Sequence, residues 1–123
     1  AAPNPPIVGW LVAIDGPDMG RDFKLFADKN YIKRAQYGNV TTRDILLNDE
    51  TVSRNNHAVV AFYAATEQFF CAGGDARELF SLNNEPVLET RILKKGDILT
   101  VGKTKLMFVP FCGEMYHWGM NKD

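Results

Sequence analysis

The chain alternates short apolar runs with clusters of glycine, proline, asparagine and aspartate, and the runs read as strands. Ile7–Ile14 (IVGWLVAI) is a β-rich run closed by Asp15-Gly16-Pro17, a strong turn signal. Phe23–Phe26 follows Gly20 and partly alternates, so these two segments predict a hairpin. Asp28-Lys29-Asn30 predicts the next turn, and Tyr31-Ile32 starts a third strand that runs into Lys33-Arg34. Ala35 to Arg43 is polar, contains Gly38-Asn39 and shows no period, so it reads as a loop. Asp44–Leu47 (DILL) then predicts a short strand, and Ala58–Tyr63 (AVVAFY) is continuously apolar, as expected in a sandwich core. Between them the chain turns polar, and Asn, Asp and Ser side chains compete with a strand ladder for backbone hydrogen bonds. Ser53, Arg54 and Asn55 are therefore expected on a loop tip between two strands.

The second half repeats the pattern. Gln68–Cys71 and Leu79–Leu82 predict strands, split by Gly73-Gly74-Asp75; Pro86-Val87-Leu88 predicts an edge segment. Ile98–Val101 and Lys105–Val109, joined by Gly102-Lys103, predict a second hairpin. No stretch carries the period of an amphipathic helix. Short strands separated by turn signals indicate an all-β, antiparallel β-sandwich. Residues 7–111 are expected to form one domain. Residues 1–6 (AAPNPP) read as a linker, which suggests a piece of something larger, and residues 112–123 as a tail packed loosely, if at all.

Composition narrows the function classes. Apolar residues at 46% and charged residues at 24% are ordinary for a globular domain, and 123 residues suffice for a core without staples. A formal net charge of −1 provides no global field for nucleic acid or an anionic membrane. No apolar run approaches the ~20 residues needed to span a bilayer, and no signal-peptide pattern opens the chain. Two cysteines, Cys71 and Cys112, are too few for a disulfide framework and lie in or beside apolar runs, which points to buried thiols and a cytoplasmic protein. Oligomeric state is not legible. Cys112 and His117 lack the partnered second pair of a metal site, and neither a metal nor a cofactor is expected. No glycine-rich phosphate loop, nucleophile elbow or paired-histidine motif is present, so an enzyme is not expected.

Three pieces, in order, carry a resemblance: Tyr31-Ile32-Lys33-Arg34, then DILLNDETVSRNNHA from Asp44 to Ala58, then Leu93–Gly102 (LKKGDILTVG). Together they resemble a forkhead-associated (FHA) domain, a β-sandwich of the FHA/SMAD type that binds phosphothreonine peptides through loops at one end. The resemblance runs from Val8 to Pro110 and implies eleven strands. Its phosphate-binding arginine falls on Arg34 and its phosphate-binding serine on Ser53, with Arg54 as the polar residue after it. Its loop-bracing histidine falls on His57, a structural role. Asn55 belongs to the same loop. Gly20-Arg21 lies before the third strand and takes no such role.

The chain departs from the family in four places. Lys33 replaces a glycine, three residues instead of two separate Ser53 from His57, and the loop before Asp44 is long. The family's S-x-N-G-T segment, whose asparagine grips the peptide backbone, is replaced by Asp75-Ala76-Arg77-Glu78.

The chemistry is consistent with that reading. A phosphothreonine brings roughly −1.5 to −2 charges and three acceptor oxygens. An arginine fork can meet it with two parallel charged hydrogen bonds, and a serine hydroxyl with a third. Arg54 could add a second charge, and Arg77 could approach from the neighbouring loop, although a solvated surface arginine is the plainer reading of Arg77. The expectation is a phosphothreonine-peptide-binding module of a larger signalling protein, with a threonine-phosphorylated protein as partner. The alternative is an FHA-like domain that holds a partner, or a neighbouring domain, without phosphate.

Overall fold

A computed structural model describes residues 5–118. Eleven strands are present among these residues: β1 (Ile7–Asp15), β2 (Asp22–Phe26), β3 (Asp28–Arg34), β4 (Asp44–Leu47), β5 (Ala58–Tyr63), β6 (Gln68–Gly73), β7 (Ser81–Leu82), β8 (Glu85–Pro86), β9 (Arg91–Leu93), β10 (Ile98–Val101) and β11 (Thr104–Pro110). They form two sheets, one ordered β2-β1-β11-β10-β7-β8 and the other β4-β3-β5-β6-β9. All pairings are antiparallel except β3 with β4, which run parallel because the loop 35–43 carries the chain back to the start of β3 before β4 begins. The sandwich expected from sequence is the observed architecture, with that one parallel pair.

Alternate residues of each strand fill the space between the sheets. Phe69 meets Phe62 of its own sheet and Phe108 of the other, with centroid separations of 4.6 Å in both contacts. The edge-on Phe69–Phe108 pair joins the two layers within the core. Loop residues add to this core: Val52, 1% exposed, pins the segment between β4 and β5, and Phe80, Val87 and Cys112 are buried outside the strands as well.

Several local expectations change. Asp28-Lys29-Asn30, predicted as a turn, already belongs to β3, and the reversal is compressed into Ala27 and a left-handed Asp28 (φ 68°). The fully buried Asn30 makes this possible. Its side chain accepts from Phe26 N–H at 3.0 Å and donates to the Phe26 and Val60 carbonyls at 2.9 and 3.0 Å. β9 was not foreseen, since three residues carry no readable period; it forms by pairing with β6. Only Ser81 and Leu82 of the predicted 79–82 strand pair, while Leu79 is exposed.

The tail is packed as far as Trp118, contrary to the expectation of a loose one. Cys112 is buried, Tyr116 stacks on Phe111 at 5.0 Å, and the Trp118 indole N–H donates to the Ile7 carbonyl at 2.8 Å. Aromatic rings without a repeat spacing supply this adhesion, which is why no period announced it. Residues 1–4 of the expected linker and 119–123 of the expected tail lie outside the described residues.

Both cysteines are free and buried. Burial pushes the Cys71 thiol up to about 11, and Cys112 upward too. Since the thiolate is the reactive form, neither thiol should react with an aromatic disulfide reagent at neutral pH in the folded protein. Both should react once denaturant is added, and rapid labelling of the native protein would contradict the packing described here.

Candidate functional site

One pole of the sandwich is built from five connections: the β1–β2 turn, the start of the β3–β4 loop, the β4–β5 loop, the β6–β7 loop and the β10–β11 turn. Side chains rather than further strands tie them together. The centre is Asp49, 1% exposed. One carboxylate oxygen accepts from the Thr51 N–H and hydroxyl (2.9 and 2.6 Å), the other from the Lys103 N–H and the Thr104 hydroxyl (both 2.8 Å). Burial raises the Asp49 pKa, but the hydrogen bonds from Thr51, Thr104 and Lys103 outweigh it and hold the carboxyl below its ordinary value. Asp18, buried in the β1–β2 turn, accepts from the Asn48 N–H at 2.7 Å and its side-chain amide at 2.9 Å. The β4–β5 loop is thus clamped from both sides before it reaches Ser53.

Arg34 ends β3 directly beside that loop. Its N–H donates to the Ser53 carbonyl at 2.8 Å, and the next N–H, of Ala35, to the Leu47 carbonyl at 2.8 Å. The two residues predicted to act together, nineteen positions apart in sequence, are therefore neighbours. The guanidinium reaches over the loop and donates through Nη1 to the Glu50 carbonyl at 3.2 Å. Its Nε is buried and has no hydrogen-bond partner. No carboxylate pairs with Arg34 among the described residues.

Ser53 is half-buried. Its oxygen accepts from the Asn55 N–H at 3.1 Å, so the hydroxyl hydrogen remains to be donated outward. Its own N–H donates to His57 Nδ1 at 3.0 Å, and His57 Nε2 faces the Leu79 carbonyl at 3.2 Å. Those partners require Nδ1 to be bare and Nε2 to carry the hydrogen. His57, 2% exposed, therefore braces the loop from beneath and offers nothing to a ligand.

The β6–β7 loop is joined to the β4–β5 loop through Asn56. Its amide donates to Asp75 at 2.9 Å, and its carbonyl accepts from the Ala76 N–H at 3.1 Å. A Cβ on Gly74 would lie 2.0 Å from the Asn56 carbonyl oxygen, so only glycine permits this approach. Gly74→Ala must push the two loops apart, with an expected loss of about 1–3 kcal/mol in chemical denaturation.

Arg54, Asn55 and Arg77 are exposed at this pole, and neither arginine has a hydrogen bond or ion pair among the described residues. Arg77 sits on the loop that Asn56 and His57 tie to the serine loop. Lys33, the replacement for the family glycine, neither lends its charge to this pole nor blocks it. It lies on the opposite side of β3 from Arg34, paired with Asp44 at 3.3 Å. Arg21 is likewise engaged, with Asp18 at 2.6 Å.

The guanidinium and hydroxyl are thus presented to solvent with hydrogens to spare, a geometry that suits an oxyanion. Sequence reasoning missed Asp49, Asp18 and Asn56. The Asp-x-Thr spacing of Asp49 and Thr51 signalled a local side-chain turn, but nothing in it pointed to Lys103 and Thr104. Among the described residues no three His, Cys, Asp or Glu side chains gather as a metal site.

No protein-family model and no curated protein matches this sequence. Solved structures do. An FHA domain studied for its phosphothreonine-dependent interactions aligns with 25% identity and a TM-score of 0.66, over 82% of this chain and 94% of that one. The FHA domain of FhaA, solved in complex with an intracellular domain, aligns with 25% identity and a TM-score of 0.65, over 81% and 98%. The yeast Dun1 FHA domain, solved with a doubly phosphorylated peptide, has the same fold at 17% identity and a TM-score of 0.69, over 100% and 87%. By strand order, by the arginine and serine loops it brings together and by these likenesses, the chain has the fold of forkhead-associated domains.

Proposed function

We propose that this domain binds threonine-phosphorylated peptides and serves as a protein-interaction module, not an enzyme, within a larger cytoplasmic signalling protein. The observation that carries the reading is Arg34, whose backbone is bonded to the Ser53 carbonyl and whose guanidinium, over the same loop, has no carboxylate to neutralise it among the described residues. An unneutralised arginine next to a free hydroxyl favours an anion of high charge density, and a phosphate dianion fits better than a side-chain carboxylate. Arg54 and Arg77 add charge at the rim. An FHA domain of the same fold is described by its phosphothreonine-dependent interactions.

The absence of the family's peptide-gripping asparagine favours a second reading, contact with a partner that carries no phosphate. In this chain Asp75 of the replacement segment is bound to Asn56 instead. Titration of threonine-phosphorylated peptide libraries and their unphosphorylated counterparts separates the two. Binding that requires the phosphate supports the first. Equal binding to both forms rejects it in favour of the second.

A further inference from the structure

The second sheet has an uncovered apolar side. β5 and β6 are apolar almost throughout, the pattern of strands buried on both faces. Yet the other sheet covers only one face. Ala58, Val60 and Phe62 of β5 point into the core, while Val59 and Ala61 are half-buried and Tyr63 is 58% exposed. On β6, Phe70 faces outward in the same way, opposite Ala61 on one side and Ile92 of β9, 49% exposed, on the other. Tyr31 of β3 stands opposite Val59. A groove runs across this face, walled by the rings of Tyr31, Tyr63 and Phe70 over a floor at Ala61.

The groove's rim is charged unevenly. Lys29, directly opposite Ala61, is exposed with no ion pair among the described residues. Arg43 lines the same groove and donates to the Ala27 carbonyl, but has no carboxylate partner either. Lys33 is neutralised by Asp44, and Asp28 contributes a single carboxylate at the groove's end. A chain with net charge −1 thus places two unneutralised cations against one carboxylate around an aromatic-walled apolar groove.

We propose that this face is a second docking surface, and that its occupant is an extended partner segment with an aromatic side chain flanked by Asp or Glu. The aromatic ring fills the space between Tyr31, Tyr63 and Phe70, and the acidic flank meets Lys29 and Arg43. The surface uses neither Arg34 nor Ser53. Counting along β3, Lys29 lies roughly 15–17 Å from Arg34 at ~3.3 Å per residue. One partner could therefore reach both sites, and the second would raise the affinity of the first by proximity.

The test is a displayed library of random dodecapeptides selected on the intact chain, followed by amide-shift mapping with the acetylated, amidated peptide Glu-Asp-Phe-Glu-Asp as a defined probe. The expected result is enrichment of an aromatic residue beside Asp or Glu, and shifts confined to residues 28–31, 42–44, 59–63 and 68–72. Lys29→Glu should weaken the probe roughly tenfold, because it turns attraction into repulsion. Phe70→Thr should weaken it as well, while Arg34→Ala should leave it unchanged, which separates this site from the phosphate-binding one. Shifts at the 48–57 and 74–80 loops, no acidic-aromatic enrichment, or indifference to Lys29→Glu would overturn the proposal. So would self-association in sedimentation that Phe70→Thr abolishes, since the face would then belong to a second copy.

Discussion

Replacing Arg34 with alanine is expected to lower the affinity for a phosphothreonine peptide roughly tenfold to a hundredfold. The estimate follows from charge-assisted hydrogen bonds contributing on the order of 1.5–3 kcal/mol, at ~1.4 kcal/mol per decade. The fold should tolerate the change. The Arg34 N–H that bonds Ser53 is backbone and remains, while the side chain's one hydrogen bond, to the Glu50 carbonyl, is exposed at the surface. The buried Nε, which has no partner, is removed along with it. Melting temperature should therefore move by only a few degrees while binding collapses. Arg34→Lys sharpens the test, because it keeps a cation but loses the planar fork, and its affinity should fall between those of the wild type and the alanine variant. Calorimetric titration of one phosphopeptide against the three proteins gives the answer. Affinity indifferent to all three would remove Arg34 from the site.

The sequence disclosed the scaffold and the two residues of the proposed phosphate-binding pair more readily than what holds them in place. Apolar runs and turn residues located most strands because their signals are local. The pairing of Arg34 with Ser53 came from an ordered set of short motifs, and the backbone hydrogen bond between them now joins the loops directly. The bracing was hidden because its partners are distant in sequence. Asp49 looked like one polar residue among several, yet its acceptors serve donors 54 and 55 residues later. The direction of Lys33 is hidden for the opposite reason. A strand sends successive side chains to opposite faces, and only the register with β4 shows that Asp44 receives it. β5 misled in a more useful way. Its unbroken apolar run promised burial on both sides, and the structure supplies a cover for only one.

The substitution expected to destabilise the fold most is Asp49→Asn, though it changes almost nothing in shape. Each Asp49 oxygen accepts one backbone N–H, from Thr51 or from Lys103, so whichever way the amide is turned, its NH2 group faces a donor that cannot rotate away. The cost is one buried donor left unmatched and the charge of the acceptor lost, about 2–4 kcal/mol. For a chain of 123 residues that corresponds to a melting temperature lower by about 10–15 °C. Gly102, left-handed at φ +60°, packs against the same knot: a Cβ there would lie 2.4 Å from the Thr51 hydroxyl, so the knot cannot slide to accommodate the amide. The effect should depend on pH in a definite direction. The folded Asp49 carboxyl lies below its ordinary value, so its contribution is complete above the unfolded-state pKa and is lost as pH falls through the folded one. Denaturation of wild type and Asp49→Asn from neutral pH down to about pH 3 should show a stability difference that is constant at first and shrinks on the acid side of the ordinary aspartate range. A difference that stays flat into strong acid would mean that Asp49 stabilises the loop by its shape and not by its charge. Loss of the knot should also weaken phosphopeptide binding under conditions where the variant is still folded, since the loop it fixes carries the Glu50 carbonyl that orients Arg34.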